Sequence, residues 1–298
     1  MTSSLPHRMP VVFIPHGGGP WPWMDQRPLV SDDEKRALAG YLGGLPARLP
    51  RRPRAMVVVS AHWEERVPTA TTNPEPPMLY DYHGFPEETY RIRWPAPGQP
   101  RLARQVRELL ERVGIATAED AARGFDHGTF VPLKVAFPDA DVPAIQLSLD
   151  ATLDPARHLA IGRALAPLRD EDVLVVGSGM SYHNLGDMRL PVETRRSRSE
   201  PFDAWLRGAV EADAVTRDAA LTRWEEAPNA RLAHPREEHL LPLMVVAGAA
   251  GESRGRVAYR GTFANWAISA AHFGDEGASP RRPGSDPASE RDGKGGSP

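Results

Sequence analysis

The chain has ten histidines and no cysteine. With no thiol there is no disulfide, no Cys nucleophile and no sulfur ligand, so any metal must be held by nitrogen and oxygen. Three histidines share one context. The apolar run of "VVFIPHGGG" hands over to His16, that of "VVVSAHW" to His62, and "VLVVGSGMSYHNL" leads on to His183. A lone histidine beyond a strand is ordinarily a hydrogen-bonded loop residue. Three in the same place, beside the small residues of "HGGG", "SAH" and "GSG", read instead as one cleft that a ligand can approach closely.

Other histidines compete for a place there. His239, in "HPREEHLLPL", lies near a helix start, where the dipole disfavours protonation and suits a neutral ligand. His234, five residues earlier, is its rival but is turned off the same helical face. Glu237 and Glu238 read as first-turn residues that favour the dipole. On spacing alone His127, in "GFDHGTFVPL", is a turn or capping residue. His83 lies in an aromatic loop, and His7, His158 and His272 carry no signal. Imidazole ligands without thiolate suit Fe(II), Zn or Cu. Three on one side of an ion leave positions open for substrate or oxygen. Around Zn the same three would suit a bound hydroxide, as in hydrolysis. Ligand type alone leaves both chemistries open.

The elements that must position these residues alternate. Short, nearly continuous apolar runs at Val11–Ile14, Met56–Ser60, Ala144–Leu149 and Val173–Val176 read as strands covered on both faces. Between them lie helical segments. Ser31 and Glu34 form a capping box before "KRALAGYL". "PRLARQVRELLERVG" places Leu102, Val106, Leu109 and Val113 on one face and ends at Gly114. Asp154 and Pro155 are the N-cap and first position of "PARHLAIGRALAPL". "SEPFDAWLRGAVEA" follows, and "EEHLLPLMVVAGAAG" is helical with Pro242 at its start or kinking it. This alternation implies an α/β fold, a three-layer α/β/α sandwich around a mostly parallel central sheet. In such a sheet ligands bind beyond the carboxyl ends of the strands, where His16, His62 and His183 fall.

With 298 residues, 41% of them hydrophobic, the chain can bury a sizeable core. We expect a flexible N-terminus over 1–9, a single catalytic domain over 10–273 and a disordered tail over 274–298, which has almost no large apolar residue. Residues 66–100, rich in proline and aromatics, read as a long ordered loop over one face. A net charge of −3 gives no basic face for nucleic acid, and no run is long enough to span a bilayer. The expected setting is cytoplasmic, as a monomer or small homo-oligomer.

Taken together, "PHGGGP", "SAHW", "YDYHGFPEETYRIRWPAPG", "GFDHGTFVPL", "GSGMSYHNL" and "EEHLLPL" resemble, in order, the motifs of class III extradiol ring-cleavage dioxygenases. The nearest branch is the DODA type, the 4,5-DOPA dioxygenase-like proteins of the LigB superfamily. The resemblance covers roughly residues 10–270. It implies that His16 and His62 are metal ligands, with His239 as the third and Glu238 as the fallback. It implies that His183 is the catalytic histidine facing substrate and oxygen, and it moves His127 from a turn residue to the pocket near the catechol. The implied reaction inserts O2 into a catechol ring next to, not between, its hydroxyls. Fe(II) is the expected ion for activity, with Zn able to occupy the same site. Two residues depart from the family pattern, Trp94 where tyrosine is common and Phe130 where tryptophan is common; both are expected near the substrate wall. A zinc-dependent hydrolase is the second reading. A non-catalytic Memo-like binding protein is the third, against which the retention of His183 beside three potential ligands counts.

Overall fold

A computed structural model describes residues 8–274 of the chain. The segments expected to be a flexible start and a disordered tail therefore fall almost entirely outside the described residues. Within them, Met9 is buried and Arg8 pairs with Asp170.

The sheet contains β1 (Val11–Pro15), β2 (Ala55–Glu65), β3 (Thr69–Thr71), β4 (Ala118–Asp120), β5 (Ala144–Asp150), β6 (Val173–Gly179), β7 (Gly255–Phe263) and β8 (Trp266–Phe273). Its order is β4-β3-β5-β2-β6-β1-β8-β7. The strands expected from the sequence are the parallel centre, β5-β2-β6-β1. Every residue of β1, β5 and β6 is buried, which is why these segments carry apolar runs rather than alternation. Around the parallel centre β3 runs against β5, β8 against β1 and β7 against β8, while edge strand β4 is parallel to β3. The β7–β8 hairpin closes through Ala264 and Asn265, both left-handed at φ 53° and 60°, as a two-residue primed turn requires.

The helices are α1 (Asp32–Gly43), α2 (Leu45–Arg48), α3 (Pro100–Arg112), α4 (His127–Ala136), α5 (Pro155–Leu165), α6 (Val192–Glu211), α7 (Ala214–Thr222), α8 (Ala230–Ala233) and α9 (Leu241–Ala250). The capping box of Ser31 with Glu34 is present, and Asp154 caps α5 ahead of Pro155. Pro242 lies in the first turn of α9 and does not kink it.

Period-two alternation along β6 sets the layers. A side chain at Gly177 or Gly179 would collide with the carbonyls of Pro242 or His239, so those positions lie under α9. Ser178, between them, donates to the carbonyl of Gly128 on α4. The two helices thus cover opposite faces of the same strand. Beside α9 pack α5 and α7, and beside α4 packs α1.

One expectation is corrected. β2 does not stop at Ser60 but runs to Glu65, with its register against β5 shifted between Val59 and Glu64. His62 therefore sits inside a bulged strand, not beyond its end. The bulge turns the residue away from regular pairing and aims its ring at the cleft.

Candidate metal centre

His16 follows the last residue of β1, and its backbone N–H donates to the Gly179 carbonyl of β6 at 3.0 Å. The chain then turns through Gly17 at φ +79°, where a Cβ would stand 2.3 Å from the Trp21 ring. Trp21 in turn donates from Nε1 to the His16 carbonyl at 2.8 Å. His16 Nδ1 is 2.7 Å from the Gly17 carbonyl. A carbonyl only accepts, so the proton is on Nδ1 and Nε2 keeps its lone pair.

That lone pair faces His62 Nε2 at 3.3 Å. His239 arrives from the turn before α9, buried, with Nδ1 2.8 Å from Glu238 Oε1 and Nε2 buried without a hydrogen-bond partner. His16, His62 and His239 each offer a nitrogen, all within 4.8 Å of one another. A buried acceptor without a partner costs about 1–3 kcal/mol, and a shared cation is what this donor set fits. Burial is the largest reason that all three imidazoles are held well below the ordinary pKa of 6.5, and the neighbouring histidines lower them further. They are neutral near pH 7, the protonation state that coordination needs.

His183 lies over this group. Its ring stacks on that of His239 with centroids 3.4 Å apart and planes 12° from parallel. Burial, then the neighbouring His127, lower its pKa to about 4. Its Nδ1 is 3.8 Å from Glu238 Oε1. His127 opens α4 and lies 4.0 Å from His62 between ring centroids. The helix is capped by Asp126, whose side chain accepts from Thr129 N–H, so His127 is not the cap. Buried Asp126 also accepts from Ser60 Oγ at 2.8 Å and pairs with Arg123 at 3.2 Å, which ties α4 to β2 beneath the two histidines.

The remaining sequence candidates separate. His234 is buried elsewhere, its Nε2 3.1 Å from the Ser181 carbonyl and its ring against Phe202 and Trp224. Glu238 Oε1 meets His239 at Nδ1 and so can orient that ring, and together with His183 and His239 it also forms a second group whose atoms could hold a cation. His83 is exposed. The segment over 66–100, expected as a loop, contains β3 and after it supplies Tyr80 and Tyr82, which pack on Phe130 at 5.7 and 6.5 Å between centroids, and Phe85 and Tyr90, which pack on Tyr82 at 5.4 and 5.3 Å. Tyr82 reaches His127 at 5.7 Å, and Phe130 stands behind it. Trp94, expected on the same wall, is in the core, packed on Phe125 and donating to the Phe137 carbonyl at 2.9 Å. A residue not singled out from the sequence is Asp81. Its Oδ1 lies 2.8 Å from His127 Nδ1, and its Oδ2 lies 3.7 Å from His62 Nδ1. The only signal for it was its place in the "YDYHGF" motif.

Comparison with known proteins gives this arrangement its class. A family model described as the catalytic LigB subunit of aromatic ring-opening dioxygenase matches residues 29–270, and the chain belongs to that family. A 4,5-DOPA dioxygenase extradiol of Beta vulgaris is 36% identical over 81% of this chain and 87% of its own. The protein of that name from Escherichia coli K12 is 35% identical over 81% and 85%. A dioxygenase of Hapsidospora irregularis is 37% identical over 82% and 78%. A solved structure of an uncharacterized Escherichia coli K12 protein superposes with a TM-score of 0.68 at 32% identity, covering 89% of this chain and 99% of that one. Within the family the chain is an aromatic ring-opening dioxygenase of the DODA type.

Proposed function

We propose that the enzyme opens the ring of a catechol-type substrate, DOPA-like or otherwise substituted, next to its paired hydroxyls, and that His16, His62 and His239 hold the metal for this reaction. The observation that carries the reading is His239 Nε2, buried without a partner beside the facing nitrogens of His16 and His62. Fe(II) is the ion this reading assigns to the active state, with Zn able to take the same three imidazoles; held by His16, His62 and His239, it would supply Lewis acidity toward the catechol and redox chemistry toward O2.

The chain supplies the rest. Tyr82 meets His127 edge-on with Phe130 packed on Tyr82, an aromatic wall that excludes water from one side of the ring. His183 is neutral near pH 7 and one-fifth exposed, so its side chain reaches the opening of the centre. It accepts a proton from a catechol hydroxyl and later returns one as the ring opens. Glu238 faces the charged imidazolium that forms on the way. His127 hydrogen-bonds the substrate. The product is a muconic semialdehyde-type acid, which cyclises where the substrate carries an amine. The names of the relatives favour 4,5 cleavage of a DOPA-like catechol.

Oxygen uptake by the Fe(II)-loaded protein across a panel of catechols, with product spectra, tests this. Uptake with at least one catechol, reduced about 100-fold or more in His183→Ala, is expected. No uptake with any catechol, or wild-type turnover in His183→Ala, would overturn it. Ester or amide hydrolysis by the zinc-loaded protein without oxygen would favour the hydrolase reading instead.

A further inference from the structure

Asp81 is the carboxylate set among the tyrosines of the aromatic segment. It lies between Tyr80 and Tyr82, whose hydroxyls donate to the carbonyls of Ile92 and Thr89 at 2.8 and 2.7 Å. Those bonds fix the backbone on both sides of it. Its Oδ1 accepts twice from one residue, from the His127 backbone N–H at 2.9 Å and from the ring Nδ1 at 2.8 Å. Oδ1 already serves as the acceptor for the backbone N–H, so in the second contact too it accepts, and the His127 ring proton sits on Nδ1. Among the described residues no protein group hydrogen-bonds Nε2; the other neighbours of the ring are the rings of His62, His16 and Tyr82.

We infer that Asp81 is the positioning residue of the site: by gripping His127 at both backbone and Nδ1 it fixes the ring and its tautomer, and so presents an unprotonated Nε2 to a substrate hydroxyl. Asp126 caps α4 through the Thr129 N–H, and Asp81 satisfies the His127 N–H of the same first turn, but end-capping does not account for its second bond, to the His127 ring. The substrate part of this inference rests on the ring-opening reading; the tautomer does not.

Long-range proton–nitrogen spectra of histidine-labelled protein, metal-free and zinc-loaded, read the tautomer directly, with His127→Gln for assignment. The wild type is expected to show His127 as Nδ1–H alone, and Asp81→Ala a mixture with Nε2–H. Asp81→Asn keeps an acceptor oxygen and guards against misfolding; it is expected to retain the wild-type tautomer. In the iron-loaded enzyme, Asp81→Ala is expected to lower kcat/KM about 10–100-fold, and adding it to His127→Ala is expected to cost nothing further, because Asp81 acts through that ring. An unchanged tautomer in Asp81→Ala, a scrambled one in Asp81→Asn, or losses that multiply in the double variant would each overturn the inference. If the wild type consumes no oxygen, the ring-opening reading falls and the spectra alone decide the role of Asp81.

Discussion

Burial holds the imidazoles of the centre, and His158 outside it, below their ordinary pKa. His158 is the simplest example because it lies outside the centre. Its Nδ1 donates to the Asp154 carbonyl at 2.8 Å, and its Nε2 accepts from the Asp150 N–H at 3.2 Å. Both nitrogens are used, and burial lowers its pKa below 6.5. Between that lowered value and 6.5 the unfolded chain binds the proton and the folded chain does not. Stability contributed by His158 is therefore intact above pH 6.5 and lost as pH falls, at up to about 1.4 kcal/mol per unit. Thermal melts at several pH values should show a shallower acid decline in His158→Gln than in the wild type, whatever the absolute difference between the two. Glu238 makes the corresponding case inside the centre. Replacing it with alanine frees the His239 ring and should weaken metal binding about 10–100-fold, measured by competition with a chelating dye. Glu238→Gln, which still accepts, should lose less.

At the scale of elements, the contact of α5 with α9 is made backbone to backbone. A Cβ at Gly248 would lie 2.1 Å from the Leu159 carbonyl, and one at Gly162 would lie 2.0 Å from that of Val245. Gly248→Ala should therefore cost about 1–3 kcal/mol and displace the turn carrying His239, so that both the melting temperature and metal affinity fall. Equal melting temperatures would contradict this. The parts of the fold legible in sequence were those whose environment is uniform. The central strands are buried on both faces and read as apolar runs, and the caps at Ser31 and Asp154 are local chemistry. The flanking strands were not legible. β3 and β4 are only three residues each, and the β7–β8 turn uses Ala264 and Asn265 in place of the glycine that would have announced it. In the site, single residues at strand ends could be read, whereas pairings that depend on tertiary approach could not. Asp81 needs a distant helix start to acquire a role, and nothing local distinguishes Glu238 from an ordinary first-turn acid.

For the whole molecule, the centre joins β1, β2 and the turn before α9, so an ion there cross-links segments far apart in sequence. An ion at about a hundred times its dissociation constant adds roughly 2.7 kcal/mol, which is worth about 5–10 °C in a chain of this size. Chelation should lower the wild-type melting temperature by that amount and leave His16→Ala unmoved. The position of β1 carries a last consequence. Although it is the first strand, it lies between β6 and β8, and β8 is the last to leave the ribosome among the described residues. The nascent N-terminal segment thus has no lasting neighbours while most of the chain is being translated. His16 cannot meet His239 until synthesis has passed residue 239, and its strand is closed on both sides only once residue 273 has emerged. An ion shared by all three imidazoles can therefore be bound only late in synthesis, and a chain stalled before the final hairpin exposes an unpaired apolar edge suited to capture by chaperones.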